Sequence, residues 1–94
     1  MPRMPRVELT QNLQRHVACP PMDVAAGTVR EALEAVFAAV PRLRSYVLDD
    51  QGEVRKHVVI FVDGEQLRDR KRQSDPVAER SQINVMQALS GGSP

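Results

Sequence analysis

The chain has 94 residues, a hydrophobic fraction of 41% and a formal net charge of +1. That length and composition describe one small globular domain and exclude a largely disordered chain or a membrane span, since no apolar run approaches the roughly 20 residues a span requires. The near-neutral charge supplies no global field for nucleic acid or a membrane surface, and the single cysteine, Cys19, excludes an internal disulfide and any multi-cysteine metal site. Aromatic residues are limited to Phe37, Tyr46 and Phe61, so the core must be built from Val, Leu, Ile, Ala and Met. The opening Met-Pro-Arg-Met-Pro-Arg lacks the apolar stretch of a signal peptide, and a reducing cytoplasm is the expected location.

Val7-Glu8-Leu9-Thr10-Gln11 alternates apolar and polar, which predicts a half-buried strand with Val7 and Leu9 inward. Residues 12–21 carry His16, Cys19 and two prolines and read as a loop. Met22-Asp23-Val24 reads as a second short strand, completing an N-terminal hairpin. Thr28-Val29-Arg30-Glu31 has the form of a capping box. Val29, Leu33, Val36, Phe37 and Val40 follow at helical spacing and form one apolar face, and Pro41 ends the helix.

Tyr46-Val47-Leu48 reads as extended and Asp49-Asp50-Gln51-Gly52 as a turn. Val54 to Val62 reads as a long strand whose centre, from His57 to Val62, is apolar on both faces. Asp63-Gly64 is the strongest hairpin signal in the chain. Residues 68–82 are polar and basic, with Val77 as an inward anchor. In the last strand Ile83 and Val85 point inward and Met86 outward. The order predicts an α+β fold, a mixed four- to five-stranded sheet with one main helix packed across it. Residues 1–89 form the domain and 90–94 a flexible tail.

That tail follows Leu89 as Ser90-Gly91-Gly92-Ser93-Pro94. A Gly-Gly pair has no Cβ atoms, so it is narrow and conformationally free, able to enter a tunnel that side chains would block. The order of elements ending in Gly-Gly resembles the ubiquitin-like β-grasp family, and more narrowly the MoaD/ThiS sulfur carriers. The segments that carry the resemblance are Gly27 to Leu33, Lys56 to Glu65 and Ala88 to Gly92. The long middle hairpin expected from Tyr46 to Val62 is similar to that of the longer carriers, including the cysteine-biosynthesis carrier.

The resemblance implies a carrier rather than an enzyme. Gly92 would be adenylated by a ubiquitin-activating-type adenylyltransferase and converted by a sulfur donor to a thiocarboxylate for delivery to an acceptor enzyme. Ser90 and Gly91 would be read as the arm. No cofactor is expected on the chain itself: nothing in it resembles a phosphate-binding loop, so ATP belongs to the partner. Ser93-Pro94 departs from carriers that end at Gly-Gly, because Gly92 then has a peptide carbonyl. Trimming, as by the zinc metalloprotease that processes some related precursors, is therefore expected. Two other classes stay open: a protein modifier that forms isopeptide bonds through the same glycine, and a β-grasp interaction module with an inert tail.

Val59, Phe61 and Met86 are expected to share the sheet face opposite the helix and to form the partner interface. No metal site is expected, since His16 and Cys19 are two donors without a third and read as surface loop residues. His57 reads as an outward residue of its strand. Arg68-Asp69-Arg70-Lys71-Arg72 reads as a solvated loop, with docking of an acidic partner as the minority reading. Without stacking aromatics beside the charges, nucleic acid is not an expected partner. The chain alone is expected to be a monomer.

Overall fold

A computed structural model describes residues 3–87. Five strands form one mixed sheet: β1 (Arg6–Leu9), β2 (Met22–Asp23), β3 (Val58–Val62), β4 (Glu65–Gln66) and β5 (Gln82–Gln87), in the order β2-β1-β5-β3-β4. The central strand, β5, pairs parallel with β1 and antiparallel with β3. Between these elements lie three helices, α1 (Gln11–Gln14), α2 (Val29–Ala39) and α3 (Arg44–Val47), with a 3-10 turn over Pro41–Leu43.

The core lies between one sheet face and α2. The inward phase of the strands places Val7, Leu9, Val58, Ile60, Ile83 and Val85 in it, and α2 adds Val29, Ala32, Leu33, Val36 and Phe37. Each large side chain so buried contributes roughly 1.5–3 kcal/mol before entropy is counted. The helix begins where the sequence indicates. The Glu31 N–H donates to Thr28 Oγ1 at 3.2 Å, while the Glu31 carboxylate reaches back to the Gly27 N–H at 2.6 Å, one residue before the cap itself. Two further N–H groups of the first turn are satisfied from a distant loop: Val29 donates to the Asp75 carbonyl and Arg30 to that of Gln73. The helix N-terminus thus ties residues 73–75 to the domain.

The β3–β4 connection is a two-residue turn with positive φ at both Asp63 (52°) and Gly64 (84°), the geometry that matches the right-handed strand twist. The Asp49–Gly52 turn also forms. Asp49 Oδ1 accepts from the Gln51 and Glu53 N–H groups, and Gly52 takes φ 80°.

Three expectations are corrected. Tyr46-Val47 is helical, not extended: after Pro41 the chain continues in a 3-10 turn and α3, which buries Leu43 and Val47. Residues 54–57 do not extend β3. Val54 makes a single bridge to Leu48, and the Val58 N–H closes a turn onto the Arg55 carbonyl, so among the described residues no strand pairs with Lys56-His57. Residues 12–21 are not a surface loop throughout, because the turn of α1 drives Leu13, Val17 and Cys19 into the core. Leu13 and Val17, four residues apart, are the signal that could have shown this.

Candidate functional site

The sheet face away from α2 is open and divides in two. Near β1 and β2 it is polar. Gln82 Nε2 donates to Glu8 Oε1 at 3.3 Å and to Asn84 Oδ1 at 3.0 Å, and Arg6 lies 3.8 Å from Asp23 with both side chains half exposed. An exposed pair of that kind contributes little to stability. Towards the end of β5 the face becomes apolar. Val59 and Phe61 stand two apart on β3 and so point the same way. Met86 lies directly across from Val59 in the antiparallel register, while Phe61 faces Asn84 and Gln66. Directly opposed side chains in such a pair are close enough to pack, so Val59 and Met86 form one surface. All three expected interface residues are partly exposed and on the outward phase, with Phe61 not beneath the helix.

The last described residue of β5, Gln87, lies at the same end of the sheet. Gln87 pairs with Val58, immediately after the Lys56-His57 turn. Ser90, Gly91 and Gly92 lie outside the described residues. Their reach is nevertheless bounded: the five residues from Ala88 to Gly92 span at most about 18 Å when fully extended.

Other candidate positions do different work. Cys19 is 1% exposed, and burial pushes its thiol pKa up, away from a reactive thiolate. This corrects its expected surface position. His16 is exposed and stacks on Tyr46, with ring centroids 5.6 Å apart. His57 is exposed in the turn before β3 rather than on the strand. Among the described residues, no group of three or more His, Cys, Asp or Glu side chains is placed to hold a metal ion, and no helix is long and apolar enough to cross a membrane.

The basic run is not simply solvated, and here sequence reasoning missed residues. Asp75 accepts from the Arg68 and Asp69 N–H groups, both at 2.9 Å. Asp69 accepts from the Ser74 hydroxyl and from the N–H groups of Arg72, Ser74 and Lys71. The Ser74 hydroxyl first, then the Arg72 N–H, holds its carboxyl below the usual carboxylate range. Gln73 is wholly buried at φ 53°, its amide donating to the carbonyls of Gly52 at 3.2 Å and Arg70 at 2.8 Å. Aspartates spaced for local turns hint at this loop, but nothing in a polar run marks Gln73 as buried.

A five-stranded mixed sheet crossed by one principal helix, with β5 parallel to β1 at its centre, defines a ubiquitin-like β-grasp protein. Solved structures agree. Small archaeal modifier protein 1 of Haloferax volcanii superposes with a TM-score of 0.79 at 25% identity, covering 95% of this chain and 99% of its own. A chain of the Amycolatopsis orientalis BexX/CysO complex gives 0.78 at 16% identity, covering 94% and 99%. CysO of Mycobacterium tuberculosis gives 0.76 at 16%, covering 90% and 99%. No curated protein matches the sequence significantly. The ThiS family profile matches residues 21–92, well over half the chain and through both terminal glycines, and the chain belongs to the ThiS family.

Proposed function

We propose that this chain is a sulfur carrier whose working group is the carboxylate of Gly92, exposed once Ser93-Pro94 is removed. The observation that carries this reading is the ThiS family match, which runs to Gly92 and stops there. A carboxylate is a poor electrophile. Attack of its oxygen on the α-phosphorus of ATP, with loss of pyrophosphate, gives an acyl-adenylate. A sulfur nucleophile then displaces AMP and leaves a thiocarboxylate. This chemistry belongs to a partner adenylyltransferase and a sulfur donor, so the chain is substrate rather than catalyst, binds no cofactor of its own and works in the cytoplasm.

The geometry supports a division of labour. Gly91 and Gly92 supply a narrow end, and Ser90 the approach to it. A span of at most about 18 Å from Ala88 to Gly92 supports contact between an enzyme that receives Gly92 and the domain body, where Val59, Phe61 and Met86 offer an apolar surface. CysO of Amycolatopsis orientalis was solved in complex with BexX, which supports docking onto a second protein as the way this chain also acts. A second reading, conjugation to protein lysines through the same glycine, is favoured by the 25% identity to a small archaeal modifier protein.

Intact-mass spectrometry with the cognate activating enzyme, ATP and a sulfur donor separates these readings. The chain ending at Gly92 should gain one sulfur-for-oxygen exchange, while the chain still carrying Ser93-Pro94 should remain unchanged. Isopeptide conjugates instead would establish the modifier. Absence of both products from the Gly92-terminated chain would refute activation at this glycine and leave an interaction module.

A further inference from the structure

The carrier reading leaves the basic residues without a role, yet the fold gathers them. Arg70 Nη2 donates to the Arg55 carbonyl at 2.6 Å, and the Val54 N–H donates to the Arg70 carbonyl, joining the loop around 55 to the loop around 70. Gln73 bridges the Arg70 and Gly52 carbonyls, and Arg30 of α2 reaches Gln73 Oε1 at 3.5 Å. Lys56, Lys71 and Arg72 are exposed on these same loops. None of Arg30, Arg55, Lys56, Arg70, Lys71 or Arg72 forms an ion pair among the described residues, whereas Arg6, Arg44 and Arg68 do. Asp49 and Asp69 are turned to backbone N–H groups of their own turns, and Asp50 and Glu53 are the other acidic residues of the Gly52 loop.

We infer that this surface docks the chain onto an acidic rim of the protein that accepts the Gly92 tail. The inference rests on the carrier reading for the partner's identity. Three observations carry it. The cations have no carboxylate partner among the described residues, and Arg55 and Arg70 are pre-oriented by bonds to main-chain carbonyls at Ser45, Val54 and Arg55. The surface reaches Lys56, two residues before Val58, which pairs with Gln87, the last described residue ahead of Gly92. A leash of about 18 Å at most brings the rim of any tail-accepting channel up to this end of the domain. Interspersed Asp50 and Glu53, with no aromatic ring on these loops, fit discrete protein carboxylates better than a continuous phosphate backbone.

The test compares the Gly92-terminated chain with its Lys56→Glu/Lys71→Glu/Arg72→Glu form. No side chain among these three makes a hydrogen bond or ion pair within the described structure, and circular dichroism checks that the fold survives; the corresponding Gln triple variant serves if it does not. Affinity for the cognate activating enzyme is measured at low and high salt without ATP. Charge reversal should weaken binding by about tenfold or more at low salt, mostly through slower association, and the difference should shrink as salt screens it. Equal affinity of variant and wild type, or failure of the wild type to bind, overturns the inference. A wild type that binds a short duplex RNA, with only that binding lost in the variant, overturns it in favour of nucleic acid. Binding without adenylate formation on adding ATP counts against the carrier reading alone.

Discussion

Replacing Gln73 with alanine tests how the basic loop is held. The side chain is wholly buried and its amide donates twice. The Arg70 carbonyl keeps a second donor, the Val54 N–H at 2.9 Å, so losing that bond costs only about 0.5–1.5 kcal/mol. The buried Gly52 residue has no such substitute at its carbonyl in the described structure, and an orphaned acceptor there costs about 1–3 kcal/mol. Gln73→Ala should therefore lose about 1.5–4.5 kcal/mol, and for a domain of this size each kcal/mol lowers Tm by about 4–8 °C. Gln73→Gly loses the same bonds but relieves the φ of 53°, where an L-residue carries about 1–2 kcal/mol of strain. It should be the more stable of the two variants. Urea unfolding of wild type and both variants measures the differences. A Gln73→Ala variant within 0.5 kcal/mol of wild type would refute the assigned hydrogen-bond role.

Leu33→Ala, at a position 1% exposed on the buried face of α2, should cost about 2–5 kcal/mol, and Thr28→Ala, which removes the cap to the Glu31 N–H, about 0.5–2 kcal/mol; thermal unfolding reads both. Phe61→Asp should preserve the circular dichroism spectrum and weaken binding to the activating enzyme, and unchanged affinity would remove Phe61 from the interface. Asp69 has a depressed folded pKa, held down first by the Ser74 hydroxyl, so its contribution is present at neutral pH and is lost as pH falls through the folded value, below the usual carboxylate range. The stability gap between wild type and Asp69→Asn should therefore narrow on acidification, and a gap that widens would reverse the assigned sign.

Much of the architecture is local enough to be written in the sequence. Thr28, Glu31 and Pro41 bracket α2 because capping and termination involve only neighbouring residues. The spacing from Val29 to Phe37 sets its buried face, and Asp63-Gly64 sets the β3–β4 turn because few other pairs tolerate two positive φ angles. Alternation likewise fixed the phase of Val59, Phe61 and Met86, since the strand repeat of two leaves only one face for each residue. The terminal glycines marked the candidate arm only together with the order of elements ahead of them.

Tertiary structure decided what depends on partners distant in the chain. Tyr46-Val47 became helical because burying Leu43 and Val47 outweighs a weak preference for extension over three residues. Cys19 and Gln73 are buried because other segments close over them, and Gln73 satisfies a carbonyl 21 residues away, a pairing no local pattern encodes. The gathering of Arg30, Arg55 and Arg70 is of the same kind. Each is an unremarkable polar position in sequence, and only packing of the Gly52 and Gln73 loops against the start of α2 makes them one surface.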